Sequence, residues 1–107
     1  MQTARSLNGV SIRLTDERWE HITRGHPEMR NQTEKVLQTL NKPDRIQLGD
    51  TGELLALRRY DKTPVTTDKY LVVAYREVSL EDGFIITAYF TRRPSAAREN
   101  LWTRSQP

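Results

Sequence analysis

The stretch GFIITAYFTRR, residues 83–93, sets the fold class of this chain because its apolar and polar side chains alternate. Alternation with β-branched and aromatic residues is typical of a half-buried strand, in which successive side chains point to opposite faces. We therefore predict a strand over 84–93. One face, expected to meet the helices, carries Phe84, Ile86, Ala88 and Phe90. The other, expected to be open, carries Ile85, Thr87, Tyr89 and Thr91.

Three further runs before this stretch are also typical of strands: RIQLG (45–49), ELLALRRY (53–60) and KYLVVAYREV (69–78). The short segments DTG and SLEDG suit tight hairpins. The polar connection over 61–68 is longer, and we expect it to be mobile. Connections of this length favour an antiparallel meander, because parallel neighbours need a longer crossover.

The first part of the chain has helical periodicity. Thr15 or Asp16 can cap a helix that ends at Gly25, before a proline. A second helix is predicted from Met29 to Leu40, with its apolar stripe at Met29, Thr33, Val36, Leu37 and Leu40. Residues 10–14 could form a short strand or an extended lead-in, and residues 96–102 could form a turn of helix. The predicted fold is α+β, with two N-terminal helices packed on one face of a four-stranded antiparallel sheet.

Length and composition restrict the classes of function. The 107 residues fit one domain, with a core over about 10–93 and a tail over 94–107. The chain has no cysteine, which excludes disulfides, thiolate metal sites and a cysteine nucleophile. Glu20, His21, His26 and Glu28 straddle a glycine and a proline, so we expect no metal site and no cofactor. Without an apolar run of bilayer length or a signal-like segment, we expect a cytoplasmic protein with no membrane partner.

The charge is mildly basic, at +3, and the arginines cluster at predicted strand ends. Arg58 and Arg59 lie in one strand, Arg92 and Arg93 end another, and Arg98 and Arg104 follow. They could form a phosphate-binding surface or be ordinary solvated strand ends. Hydroxyls, rings and guanidinium groups on an open sheet suit nucleic acid, although threonine and tyrosine are also favoured in strands without any function.

The segment RWEHITRGHPEM, residues 18–29, contains both histidines of the chain. His21 is expected to border solvent. His26 is expected in the loop after Gly25, where its side chain can turn toward the sheet or toward water. Metal-free RNA cleavage needs a base for the 2′-hydroxyl and an acid for the leaving 5′-oxygen, and imidazole can serve as either. Arginine can stabilise the charge that develops on the phosphorus oxygens.

The order of EHITRGHPEM, LNKPDRI, LLALRRY, YLVVAYR and GFIITAYFTRR resembles the barnase/EndoU/colicin/RelE-like nuclease superfamily, particularly its phage and mobile-element branch. The resemblance spans about residues 10–93. It implies helices on a four-stranded antiparallel sheet and metal-independent ribonuclease activity. It also implies a toxin-like role, in which a cognate antitoxin or immunity protein restrains the enzyme.

Carried over, the resemblance implies a helical-region histidine (His21 or His26) and a middle-strand basic residue (Arg59 or Arg76) around the scissile phosphate. The last-strand group would be Thr87, Tyr89 or Thr91. Further nucleic-acid contacts are expected from Arg58, Tyr60, Tyr75, Arg92 and Arg93. Because lysines are sparse on the predicted sheet, free RNA is favoured over ribosome-bound RNA as the partner.

Two functions are therefore carried forward. The first is a metal-independent endoribonuclease that cleaves RNA by 2′-hydroxyl attack. The alternative is a non-catalytic module on the same fold that binds nucleic acid or a protein partner. The sequence favours no particular oligomeric state.

Overall fold

The computed structural model describes residues 1–61 and 70–104, so the predicted 61–68 connection lies outside the described residues except for Asp61. Within those residues the chain forms seven β-strands, two α-helices and one 3-10 helix. The strands are β1 (Gln2–Arg5), β2 (Ser11–Leu14), β3 (Arg45–Leu48), β4 (Leu54–Arg59), β5 (Tyr70–Glu77), β6 (Gly83–Thr91) and β7 (Asn100–Thr103). The helices are α1 (Asp16–Gly25), the 3-10 helix (Pro27–Met29) and α2 (Thr33–Asn41).

All seven strands belong to one mixed sheet in the order β1-β2-β6-β5-β4-β3-β7. The prediction of a four-stranded antiparallel sheet is wrong. The four predicted strands form the centre of the sheet, and other strands add at both edges. On one side β2 pairs parallel with β6, joining Ile12 to Gly83 and Arg13 to Phe84, and β1 pairs antiparallel with β2. On the other side β7 pairs antiparallel with β3.

The C-terminal turn of helix predicted over 96–102 is also wrong. Residues 100–103 form β7 instead, with Trp102 opposite Ile46 on β3. The buried Gln47 side chain donates hydrogen bonds to the carbonyl of Ser95 (3.0 Å) and to Oδ1 of Asn100 (3.1 Å). Pairing with an open strand edge thus overrides a helix-like local pattern. Residues 92–99, which we call the crossover segment, carry the chain across the sheet from β6 to β7.

The first helix begins as predicted, because Oγ1 of Thr15 accepts a hydrogen bond from the backbone N–H of Arg18. It ends at Gly25, also as predicted. The second helix begins at Thr33 rather than Met29. Asn31 has a φ of 65°, a left-handed conformation that interrupts helical backbone between the 3-10 helix and α2. Met29 is nevertheless fully buried, so its assignment to the core is confirmed.

The main core lies between the helices and one face of the sheet, which we call the helix-covered face. Its central members are Ile12, Ile22, Met29, Val36, Leu40, Leu71, Val73, Tyr75, Ile85, Ala88 and Phe90. A smaller cluster lies on the opposite face, where Leu55, Leu57, Val72 and Ala74 are buried beside Ile86 and Tyr89. The face predicted to be an open row of hydroxyls therefore has an apolar centre.

A β-bulge in β6 explains why the predicted faces of this strand are partly wrong. Ala74 pairs with Thr87 and Tyr75 pairs with Ile85, which leaves Ile86 as the extra residue. After the bulge Ala88 and Phe90 face the helices as predicted, whereas before it Ile85 takes that side. Ile86 packs in the opposite-face cluster, and its carbonyl accepts a hydrogen bond from Nη1 of Arg18 at 3.4 Å.

No helix in residues 1–61 and 70–104 has the length and apolar character needed to cross a membrane.

Candidate functional site

His26 is held at the junction of α1 and the 3-10 helix. Its backbone N–H donates to the carbonyl of Ile22 (2.7 Å), and its own carbonyl accepts from the N–H of Met29 (2.9 Å). Pro27 begins the 3-10 helix directly after it, with the fixed φ that this position suits. The backbone on both sides of the imidazole is therefore constrained, although the side chain is 39% exposed.

The imidazole of His26 reaches the sheet, which is one of the two directions that its loop position allows. Its ring centroid lies 5.8 Å from that of Tyr89, with the two planes tilted by 30°. Nδ1 of His26 lies 3.8 Å from Oε2 of Glu28, a carboxylate on the 3-10 helix. We call His26, Glu28 and Tyr89 the histidine site. In this site the imidazole can take a proton, the carboxylate can orient the imidazole, and the phenol can donate a proton.

Tyr89 lies on the opposite face of the sheet, beside Val72 on β5. Thr91 follows it on the same side of β6, and Arg93 comes just after the strand. All three line a cavity of about 200 Å³ between the sheet and the crossover segment, over an apolar floor that includes Leu57. The histidine site therefore adjoins a hydroxyl and a guanidinium group, which are suitable ligands for a phosphate.

His21 is exposed, and its surroundings differ from those of His26. It lines a separate cavity of about 310 Å³ with Thr15, Glu17 and Arg18. No contact with Tyr89 is found for it in the described part of the chain. The structure thus supports His26 over His21 as the histidine at the sheet.

A cleft lies at the end of the sheet where β4 ends and β5 begins. Its volume is about 510 Å³. We call it the arginine cleft, and its lining residues are Asp44, Arg45, Arg58, Arg59, Asp61, Tyr70, Thr103 and Arg104. The described lining residues carry a net positive charge, with four arginines against two aspartates.

Contacts within the protein hold each arginine of the cleft. Nη1 of Arg58 donates to the carbonyl of Lys42 at 2.7 Å, and the guanidinium of Arg45 lies over the Tyr70 ring at 5.9 Å. Nη2 of Arg104 lies 3.0 Å from Oδ1 of Asp44. Nε of Arg59 lies 3.6 Å from Oδ1 of Asp61. These contacts engage part of each guanidinium, and within the described residues its other N–H donors remain available to a ligand.

The register of the sheet joins the arginine cleft to the histidine site. Arg59 is paired with Tyr70, and Tyr70 is paired with Thr91 on the next strand. Two strand spacings put Arg59 about 10 Å from Thr91, and Tyr89 is about 7 Å further back along β6. Both sites therefore lie at the same end of the sheet.

Arg76 lies at the other end of the sheet. Its Nη2 donates to the carbonyl of Thr51 at 3.0 Å and to the hydroxyl of that residue at 3.1 Å. Arg76 lies six positions along β5 from Tyr70, which corresponds to about 20 Å. Of the two basic residues expected at the phosphate, the structure brings only Arg59 toward the histidine site.

Two tyrosines predicted to contact nucleic acid are engaged in packing. Tyr75 is fully buried on the helix-covered face, where it cannot stack on a base, and burial raises the pKa of its hydroxyl. The Tyr60 hydroxyl lies 3.0 Å from Oγ1 of Thr39 and donates to the carbonyl of Lys35. Burial also raises the Tyr60 pKa, although the Thr39 hydrogen bond opposes this shift.

The remaining predicted residues lie near the ends of β6. Thr87 is half-buried at the bulge, opposite Ala74. Arg92 and Arg93 are exposed, and Arg93 also lines the cavity beside Tyr89. Arg58 lines the arginine cleft.

Sequence reasoning missed Arg45 and Tyr70 as members of the cleft, and it counted Arg104 among the clustered arginines without predicting that it joins Arg58 and Arg59. Arg45 and Tyr70 are strand-end residues like Arg59, so their place in the predicted meander was an available signal. Arg104 reaches the cleft only because β7 pairs with β3, a long-range pairing that no local pattern indicates. Glu28 was considered only as a metal ligand. No group of three or more His, Asp or Glu residues that could hold a metal ion is found in the described ranges.

Comparison of the chain with protein-family models, with curated proteins and with solved structures gives no match in any of the three.

Proposed function

We propose that this protein is a metal-independent endoribonuclease that cleaves RNA by 2′-hydroxyl attack. The observation that carries the proposal is the placement of the His26 imidazole close to both Glu28 and Tyr89. Tyr89 of this group lines the same cavity as Thr91 and Arg93. The motifs that resemble the barnase/EndoU/colicin/RelE-like superfamily support the same activity, and with it a toxin-like role restrained by a cognate protein.

In the proposed reaction His26 acts as the general base. Its imidazole removes the proton of the ribose 2′-hydroxyl, and the 2′-oxygen then forms a bond to the adjacent phosphorus. The bond from phosphorus to the 5′-oxygen breaks, and that oxygen takes the phenolic proton of Tyr89. Tyr89 and His26 return to their starting states by proton exchange with solvent. The products are a 2′,3′-cyclic phosphate and a 5′-hydroxyl.

The neighbouring residues stabilise this reaction without exchanging protons. Arg93 keeps its positive charge at all relevant pH values and can offset the charge that develops on the phosphorane oxygens. The Thr91 hydroxyl can orient a non-bridging oxygen by hydrogen bonding. Glu28 is a positioning residue, because it faces His26 rather than the reacting atoms.

A second candidate function is binding of nucleic acid without cleavage. The arginine cleft favours it, because its arginines and tyrosine offer hydrogen bonds to phosphate but no proton-exchanging group suited to neutral pH. In that case affinity depends on the cleft, and changes at His26 have no effect.

The deciding experiment measures cleavage of a mixed single-stranded RNA by the purified protein in excess EDTA. We expect products that end in 2′,3′-cyclic phosphate. His26→Ala should lower the rate by about 10²–10⁴-fold, the usual contribution of a general base. His21→Ala is the matched control and should cleave like the unchanged protein. Full activity of the His26→Ala protein would refute the mechanism, and binding without cleavage would favour the second function.

A further inference from the structure

We infer that the arginine cleft binds backbone phosphates of single-stranded RNA next to the scissile position, so that the substrate is an oligonucleotide rather than a dinucleotide. The position of the bound phosphates relative to the scissile phosphate rests on the proposed function. Binding of phosphates by the cleft rests on the cleft alone.

The charge of the cleft favours an anion with several negative groups. Four arginines converge there from the start of β3, the end of β4 and the residue after β7. Among the lining residues in 1–61 and 70–104, only Asp44 and Asp61 offset them. Arginine presents its N–H donors in a planar fork that matches phosphate oxygens, so such a convergence suits phosphodiesters better than a neutral ligand.

The arginines are also preorganised, which lowers the entropy cost of binding. Arg45 is placed by the Tyr70 ring, and Arg58 by the carbonyl of Lys42 and by the Tyr60 ring at 5.6 Å. Arg104 is placed by Asp44, whose second oxygen accepts the backbone N–H of Arg59 at 2.8 Å. The Asp44 carboxylate thus fixes two sides of the cleft through one side chain.

The size and position of the cleft indicate a single strand. A volume of about 510 Å³ is in the range of pockets that take small ligands, so it admits a short stretch of backbone but not a duplex. Its edge at Tyr70 is paired with Thr91, which also lines the cavity beside Tyr89. A strand whose scissile phosphate lies at the histidine site can continue over Thr91 and Tyr70 into the cleft.

The first test measures binding of a single-stranded DNA of about ten nucleotides by fluorescence anisotropy at several salt concentrations. DNA carries the same phosphates and, lacking the 2′-hydroxyl, is not cleaved by the proposed reaction. For the Arg45→Gln/Arg104→Gln protein we expect affinity to fall about tenfold or more. The slope of log K against log salt should become shallower by about 1.4, because each phosphate contact on a single strand contributes about 0.7.

The matched control is Arg13→Gln. Arg13 is also ion-paired to an aspartate, at 2.8 Å from Asp82, but it lies beside the opposite end of β6. It should bind like the unchanged protein, with an unchanged salt slope. If the double variant does not fold, Arg104→Gln alone serves, because this side chain is 55% exposed beyond the last strand.

The second test compares kcat/KM for a ten-nucleotide RNA and for a dinucleotide. We expect the longer RNA to be preferred and the Arg45→Gln/Arg104→Gln protein to lose most of that preference. If RNA is cleaved but the double variant keeps its affinity, salt slope and length preference, the inference is overturned while the proposed function stands. Equal affinity for a duplex of the same length would also overturn it. If no RNA is cleaved but binding depends on the cleft, the proposed function fails and the phosphate-binding cleft stands.

Discussion

Oε2 of Glu28 lies 3.8 Å from Nδ1 of His26, and the two residues belong to the same turn after α1. Because Nδ1 faces the carboxylate, Nε2 is the nitrogen left to act on a substrate. We predict that Glu28→Gln lowers kcat about tenfold and leaves KM nearly unchanged. The loss should be smaller than for His26→Ala, because both side chains are about one-third exposed and such pairs are weak.

Steady-state kinetics on a single-stranded RNA in EDTA measures this effect, with Glu28→Asp as the conservative variant. Partial recovery of kcat by the aspartate supports a positioning role. A Glu28→Gln protein whose kcat matches that of the unchanged enzyme would remove Glu28 from the site.

Tyr89→Phe tests the proposed general acid. The ring packs in the opposite-face cluster, so phenylalanine keeps the apolar contacts and removes only the hydroxyl. We predict a fall in kcat of about 100-fold on RNA with an ordinary 5′-oxygen leaving group. On a substrate whose leaving group is an activated phenol, which needs no protonation, the loss should largely disappear. An equal loss on both substrates would contradict the assignment.

The buried hydroxyl of Tyr75 has no hydrogen-bond partner in the described part of the chain. A buried polar group without a partner destabilises the folded state, so Tyr75→Phe should raise the free energy of unfolding by about 1 kcal/mol. Chemical denaturation at neutral pH measures the change. Tyr60→Phe is the comparison, because it loses hydrogen bonds to Thr39 and Lys35 and should be destabilised instead. If Tyr75→Phe is destabilised as much as Tyr60→Phe, the hydroxyl has a partner.

Tyr75 should also affect stability at alkaline pH. Burial, and secondarily the Glu77 carboxylate, raise its pKa above the usual value near 10. Because the folded protein holds the phenol proton more tightly than the unfolded chain does, this contribution to stability is fully present below about pH 10. It is lost as pH rises further, because the unfolded chain releases the proton first. We expect stability to fall by about 1.4 kcal/mol per pH unit above pH 10 from this group, and Tyr75→Phe to lack that contribution.

Gln47 should stabilise the C-terminal part of the sheet. It is 2% exposed, and its amide binds both the crossover segment and Asn100 of β7. We predict that Gln47→Ala lowers the free energy of unfolding by about 1–3 kcal/mol. A double-mutant cycle with Asn100→Ala, followed by urea denaturation, should give a coupling energy of about 0.5 kcal/mol or more. Strict additivity of the two changes would contradict the interaction.

Periodicity and turn chemistry predicted the central strands and the first helix. Those strands alternate in character and are joined by DTG and SLEDG, and both signals are local. The edge strands were missed because they depend on long-range pairing rather than on a local signal. The QTAR sequence of β1 has little apolar character, and it forms a strand because it pairs with β2. The NLWT sequence of β7 depends in the same way on β3.

The candidate site was predicted only in part. The loop around His26 could be read from Gly25 and Pro27, and strict alternation placed Tyr89 on the correct face. Alternation failed before the bulge, because an extra residue shifts the faces of Phe84 and Ile86 without leaving a mark in the sequence. The arginine cleft depends on four strands, and the part that Arg104 adds after β7 could not be derived from spacing.

The first and last strands of the described residues, β1 and β7, form the two opposite edges of the sheet, about 29 Å apart across six strand spacings. The β3–β4 and β5–β6 hairpins need only short loops to close during folding. β7 can pair only after β3 has formed and the crossover segment has spanned the sheet. We therefore expect amide hydrogen exchange to be slowest on β5 and fastest on the two edge strands. Arg104, which follows β7, would then be the part of the arginine cleft that is released first when the protein opens locally.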